Sequence, residues 1–367
     1  MARKERGFFG KMIIFLLAVF AVIGLIAMAL SILSPYIPPK RFVWAAYFGL
    51  AFWEIFAFNV VVFVLLLLMW SRKVWIAVLA LVISIPGLNK SFSIGSKVEQ
   101  EGGFKVMSYN VHMFQPLDEA STKEDVGNKI INIVREQSPD VLCCQEFAAF
   151  KSRVGRPQCI EDFAKDADFS YIYYNRKSNY GGNVIFSKWP ITKVSEESGF
   201  GQENTYGVMV SVDAGERGFF SLADIHLLSY MITDDEIGAL THSSDSHNSL
   251  DTIGMSVARK LKYAYQKRAD EIVTVLEGMP PINGPVIVCG DFNETPMSYV
   301  YRQMQKAGFT DTFTKVGRGI KPTYAGRLPL LRIDYAWAND KVQPLRFERK
   351  RVKASDHYPI IMEFAIK

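Results

Sequence analysis

The sequence is poor in cysteine and histidine, with four and five among 367 residues. No CxxC pair occurs, so the spacing of zinc ribbons, redox pairs or a disulfide framework is missing. Cys143 and Cys144 are adjacent, Cys289 lies in an apolar run, and only Cys159 has surface-like neighbours. Such thiols serve as small hydrophobes, with a slight lean toward a reducing compartment. The chain has no internal repeat. It also lacks a basic excess outside its N-terminal quarter. Residues 1–103 carry ten Lys/Arg against four Asp/Glu, leaving the remainder near −1 of the net +5. That balance weakens any appeal to bulk attraction for a nucleic-acid backbone.

What is abundant is apolar sequence near the N-terminus. Residues 12–33 form an uncharged run, and 42–70 form another that holds only Glu54 and Asn59 as strongly polar residues. Both exceed the ~20 residues needed to cross a bilayer. A third stretch, 74–89, has an apolar part of only ~22 Å and Pro86 near its end; it too is expected to span, with help from its flanks. The first run is longer than a signal-peptide core and no A-x-A site follows, which excludes a cleaved leader. Lys/Arg counts place the N-terminus in the cytoplasm. Three spans then put the remaining chain outside it; a third segment that does not cross would return it to the cytoplasm. The expectation is an integral protein of the inner or plasma membrane with the lipid bilayer as its partner.

Residues 92–103 read as a polar, Gly-ended linker, and 104–367 alternate strand-like and helix-like segments. Strands are predicted over Phe104–Tyr109, Asp140–Cys144, Tyr171–Tyr174, Val184–Ser187, Gly207–Asp213, Phe219–His226, Val286–Cys289, Ile333–Trp337 and Tyr358–Ile366. Helices are predicted over Asn128–Gln137, Ser256–Leu276 and Tyr299–Ala307. Ser229–Gly254 is too long for an ordinary connection and reads as a lid, a binding loop or disorder. Its His242 and His247 read as solvated rather than ligating. Arg268 and its basic neighbours read as the solvated face of an amphipathic helix rather than substrate contacts.

The most informative stretch is Pro285–Pro296, PVIVCGDFNETP. A buried strand stops at Gly290, and Asp291 and Asn293 follow with the i, i+2 spacing that would aim both the same way. Other strand ends share this character: Asn110 after KVMSY, Glu146 after DVLCCQ, His226 after SLADI, Asp334 after LRI, and the Asp356-His357 pair in ASDHYP. Each has an ordinary reading as a turn former, cap or core polar group. As a set they point to a site at the strand ends.

That ordered set resembles the endonuclease/exonuclease/phosphatase superfamily, through SYNVH, QE, YGGNVIFSK, the His-Leu of DIHL, GDFN, RIDY and SDHYP. The resemblance implies an α+β fold, a four-layer sandwich of two packed, mostly antiparallel sheets flanked by helices. It also implies metal-assisted hydrolysis of a phosphoester by water. It makes Glu146 the principal metal ligand, with Asn110 beside it and Asp356 nearby. Asp291 would orient or deprotonate water, and Asn293 would hold substrate. Asp334 would fix the tautomer of His357, which contacts the phosphate with His226. Asp291 and His357 both stay open as the base. Tyr180, before the Gly181-Gly182 turn, matches a phosphate-contacting tyrosine. The oxygen-rich donor set suits Mg²⁺ or Mn²⁺. The substrate stays open between a lipid head group or other small phosphoester, favoured by tethering, and a nucleic acid. A scaffold that has lost activity is disfavoured, because every catalytic position holds the expected residue type.

Overall fold

The computed structural model describes residues 7–148, 158–174, 182–193, 199–201, 206–232, 247–279, 283–326 and 330–367. It divides into two compact units: Met1–Ser91 with Thr295–Arg302, and Phe92–Glu294 with Gln303–Lys367.

In the first unit, α1 (Phe8–Leu33) and α4 (Val74–Ser91) are long and apolar enough to cross a membrane. The second apolar run is not one helix. It breaks into α2 (Val43–Leu50) and α3 (Phe52–Leu68), bent by 65°. No proline marks the break, so the hydropathy pattern runs straight through it. Gly49 lies beside it, where an added Cβ would meet Ser34 Oγ at 2.5 Å. α4 continues through Pro86 to Ser91. Asn59 is buried and donates to the Gly24 carbonyl on α1 at 3.1 Å. A small residue facing a polar one is how helices hold together without a hydrophobic drive. A Cβ on Gly24 would meet Asn59 Oδ1 at 2.5 Å, so the approach needs glycine.

The second unit holds two mixed sheets and, apart from them, a short antiparallel pair of Ser93–Ile94 with Arg318–Gly319. The main strands of the two mixed sheets are β1 (Phe104–Asn110), β2 (Val141–Phe147), β3 (Tyr171–Tyr174), β4 (Gly182–Ser187), β5 (Ile191–Lys193) and β6 (Gly207–Asp213). They continue as β7 (Phe219–His226), β8 (Val286–Asp291), β9 (Thr310–Asp311), β10 (Asp334–Ala338), β11 (Val342–Arg349) and β12 (Ile360–Ile366). One sheet runs β9-β10-β8-β7-β6-β5, and the other β11-β12-β1-β2-β4-β3. Each is antiparallel except for one pair, β7/β8 in the first and β1/β2 in the second.

A parallel pair needs a crossover, and a helix supplies it each time: α5 (Lys123–Gln137) between β1 and β2, and α7 (His247–Gly278) between β7 and β8. α7 begins earlier than expected, so 247–254 is helix rather than loop. His242 lies outside the described residues. The flanking α6 (Gln158–Asp166) has no counterpart in the predicted helices.

Alternation along β1 sorts its side chains. Phe104 and Val106 join Val208, Leu222, Ile287 and Cys289 between the sheets, while Met107 and Tyr109 face Ile130, Val134 and Phe163. Both faces are covered, which is why the strands read as continuous apolar runs. β11 has no counterpart in the predicted strands. It is an edge strand with a register shift at Pro344, one of the few strand positions that tolerate proline.

Candidate functional site

The two parallel pairs end on the same side of the sandwich, at strand C-termini where open α/β sheets bind ligands. In one sheet, His226, Asp291 and Asp334 are direct partners across β7, β8 and β10. They form one row at the ~4.8 Å strand spacing. In the other, Asn110 pairs with Gln145, and Glu146 follows. Asp356 and His357 precede β12, which runs antiparallel to β1 and so starts at the same end.

Local backbone shapes aim these side chains. Glu146 has φ +52°, and the β2/β4 register shifts between Cys144 and Phe147, so a bulge turns its carboxylate out of the pleat. Gly290 has φ +134°, and an added Cβ would sit 1.9 Å from the Ile225 carbonyl oxygen. Only glycine admits that approach of β8 to β7. Asn293 also has a positive φ, +52°. It reaches Asp291 through an Asx turn and not by strand alternation: its N–H donates to Asp291 Oδ1 at 2.9 Å.

Asp291 Oδ2 is the hub. Asn110 Nδ2 and Asn293 Nδ2 each donate to it at 3.1 Å, with His357 Nε2 at 3.7 Å and His226 Nε2 at 3.9 Å. Asn293 Nδ2 also donates to the Leu227 carbonyl at 3.0 Å, so both its hydrogens are engaged. Asn110 Nδ2 further donates to Glu146 Oε1 at 3.2 Å, which His226 Nε2 approaches at 3.5 Å. His357 Nδ1 lies 3.0 Å from Asp334 Oδ2. Thr323 Oγ1 accepts from the Asp334 N–H, and Ser355 Oγ donates to the Asn110 carbonyl at 2.8 Å. The structure thus gathers Asn110, Glu146, His226, Asp291, Asn293, Asp334, Asp356 and His357; Tyr180 lies outside the described residues.

Burial raises the Asp291 carboxyl to about 6, partly countered by His357. Burial alone would lower His357, but Asp334 and Asp291 outweigh it and hold the imidazole well above its ordinary value. Behind the site, Gln145 Nε2 donates to Asp224 Oδ1 at 2.5 Å, joining the two sheets. Burial pushes the Asp224 carboxyl up, against the Gln145 and Asn183 hydrogen bonds.

The residues fit a divalent cation. Among the described residues, only histidines lie within ion-pair distance of Glu146, Asp291, Asp334 and Asp356. Four carboxylates without a lysine or arginine call for positive charge. Two groupings could hold it: Asp291, Asp334 and His357, whose ligand atoms lie within 4.8 Å of one another, and Glu146 with Asp356. In the first, His357 Nδ1 is already bonded to Asp334. The second is more open, with side chains 19% and 25% exposed, and it better suits a hydrated ion.

Three features were missed from the sequence. His112 approaches Asp356 and Glu146 at 3.4 and 3.8 Å. Ser355 braces β1 as described. Arg268, read as solvated, is fully buried: its Nε donates to Glu294 at 2.9 Å and its Nη1 to the Leu228 carbonyl at 2.8 Å. It ties the segment after His226 to the segment after Asn293. An amphipathic pattern assigns charge to solvent, and its partner lies 26 residues away.

The Endonuclease/Exonuclease/phosphatase family model matches residues 107–357, and the Domain of unknown function (DUF8431) matches residues 11–91. The chain is 24% identical over 283 residues to the uncharacterized protein YbhP of Escherichia coli K12, covering 72% of this chain and 97% of YbhP. The human Nocturnin catalytic domain with bound sulfate superposes with a TM-score of 0.50 at 16% identity, covering 74% of this chain and 97% of that one. An endonuclease/exonuclease/phosphatase from Beutenbergia cavernae superposes at 0.48 and 16% identity, covering 72% of each chain. The family match spans well over half the chain and takes in every residue gathered at the strand ends, so the chain belongs to the Endonuclease/Exonuclease/phosphatase family.

Proposed function

We propose that this protein is a membrane-anchored, divalent-metal-dependent phosphoester hydrolase. The single observation that carries the reading is the convergence of two amides and two imidazoles on Asp291 Oδ2, with Glu146 beside them. Asp291 is the group to orient attacking water and take its proton; a carboxyl near 6 is poised for that near neutral pH. Asn293 and Asn110 fix its rotamer. His357, held by Asp334 and kept protonated, supplies a positive N–H donor toward the phosphoryl oxygens, and His226 a second donor. Glu146 and Asp356 hold the cation, Mg²⁺ or Mn²⁺, with Asn110 orienting Glu146. A cation bound there supplies Lewis-acid polarisation and neutralises charge on the phosphoryl group.

The apolar helices α1 and α4 favour attachment to a bilayer. Tethering raises the local concentration of a membrane substrate, so a lipid head group or other small phosphoester is the preferred substrate class. The near-neutral charge beyond residue 103 agrees with that choice over a nucleic acid.

The test uses the full chain in detergent micelles with Mg²⁺ or Mn²⁺. It is assayed on bis(p-nitrophenyl) phosphate, phosphoinositides, sphingomyelin, DNA and RNA, beside Glu146→Gln. Hydrolysis of a small or lipid ester, lost at least ~10³-fold in Glu146→Gln, is expected. Preferred cleavage of DNA or RNA would replace the substrate class, and undiminished turnover by Glu146→Gln would remove the assignment of the site.

A further inference from the structure

His112, Met113 and Phe114 follow one another with φ of +47°, +50° and +56°. Three successive non-glycine residues in the left-handed region are costly for L-amino acids. Such backbone persists only where its surroundings over-determine it, most often at functional sites. Here they do. The His112 N–H donates to Asn110 Oδ1 at 2.9 Å. The Phe114 N–H donates to the Val111 carbonyl at 2.9 Å, and that of Gln115 to the His112 carbonyl at 2.8 Å. Phe114 is fully buried and meets Phe147 edge-on at 5.0 Å.

The turn delivers the His112 imidazole to the mouth of the site. Nδ1 lies 3.4 Å from Asp356 Oδ1 and 3.8 Å from Glu146 Oε2. Two ligands of one ion at ~2.1 Å are ~3.0 Å apart when adjacent and ~4.2 Å when opposed. Both separations fall inside that range, so His112 is placed to share an ion with either carboxylate.

Asn110 is placed differently. Its Oδ1 accepts from the His112 N–H, and only the oxygen of an amide can do so. Its NH₂ is thereby turned toward Glu146 and Asp291. It presents hydrogens to the carboxylates, which makes it a brace for them.

We propose that His112 is a metal ligand, completing a set of one imidazole nitrogen and the carboxylates of Glu146 and Asp356. This rests on the reading of Glu146 and Asp356 as cation-holding. A nitrogen donor biases the site toward a first-row transition dication, since Mg²⁺ takes oxygen ligands almost throughout. His112 therefore sets which metal the protein holds.

The experiment uses the full chain in detergent, stripped of metal and titrated with Mn²⁺ by electron paramagnetic resonance. Pulsed measurement then reads nitrogen-14 coupling to the bound ion. Wild type is expected to show coupling from a directly bound imidazole. His112→Asn, a residue that tolerates positive φ, should lose it and bind Mn²⁺ at least ~10-fold more weakly, the lower end of what even an outer partner costs. His226→Gln should keep the coupling. His112→Asp should lose the coupling and need less Mg²⁺ to displace Mn²⁺. A circular-dichroism melt identifies any variant that fails to fold, and retained coupling in either folded His112 variant, or unchanged Mn²⁺ affinity in folded His112→Asn, overturns the proposal. If wild type binds no Mn²⁺, or Glu146→Gln binds it as well, the cation reading itself fails. If Glu146→Gln loses binding while His112→Asn does not, only this inference fails.

Discussion

Arg268 and Glu294 form a buried ion pair, Nε to Oε1 at 2.9 Å and side chains 0% and 4% exposed. The guanidinium also lies 4.2 Å from the Tyr230 ring centre and 5.2 Å from that of Tyr265. Breaking a buried pair from one side leaves an uncompensated charge, worth about 3–5 kcal/mol, whereas replacing both with apolar groups is often neutral. Arg268→Met should therefore unfold at markedly lower denaturant, and Arg268→Met/Glu294→Met should recover most of the loss. Urea titrations followed by tryptophan fluorescence measure both. A double variant no better than the single one would mean the pair does not act as a unit.

Asp291 gives a second expectation. With its carboxyl raised to about 6 by burial, the proton-accepting form is lost as pH falls through that value. kcat/KM should show an acid limb, and a cation beside Glu146 should draw its midpoint lower by favouring the charged carboxylate. Asp291→Asn should remove the limb and lower the rate at least ~10³-fold. A limb that persists in Asp291→Asn belongs to another group.

His357 concerns stability. Its folded value lies well above the ordinary 6.5, because Asp334 and Asp291 outweigh burial. The stabilisation is fully present below the unfolded value near 6.5 and is lost as pH rises through the folded one. Wild type should therefore lose stability on the alkaline side. Asp334→Asn, which deletes the main charge partner and the Nδ1 hydrogen bond, should flatten that decline. Melting temperatures from pH 6 to 10 test this, and parallel curves for the two proteins would refute it.

The strand-end residues were legible because each follows a buried apolar run, and a polar residue at such a position stands out. Antiparallel and parallel registers then carry His226, Asp291 and Asp334 into one row. What brings Glu146 and His112 to the same place is backbone in the left-handed region, which no residue pattern announces when glycine is absent. Arg268 was misread because amphipathic periodicity assumes that charge seeks water. β11 was hidden by Pro344, and the break at Ala51 by an unbroken apolar run.

That break bears on which side of a membrane the second unit is expected to face. If α2 and α3 cross together, there are three crossings, and Arg3, Lys4, Arg6, Lys11, Arg72 and Lys73 oppose Lys40, Arg41, Lys90 and Lys97. If the pair turns back, there are two crossings, and Lys90 and Lys97 simply exchange sides with Arg72 and Lys73. The preference for a cytoplasmic N-terminus is the same either way, so charge does not choose between them. Length does. The 17 residues of α3 give ~25 Å, and the 8 of α2, inclined at 65°, add ~5 Å along the same axis. Together they match a hydrocarbon core of ~30 Å, and α3 alone already reaches the lower end of the ~17–25 residues that cross one. Three crossings and a C-terminus outside the cytoplasm are therefore expected. In bacterial cells, a C-terminal alkaline phosphatase fusion should be active and a C-terminal green fluorescent protein fusion dark. The reverse pair of results would make α2 and α3 a re-entrant hairpin and place the candidate site in the cytoplasm.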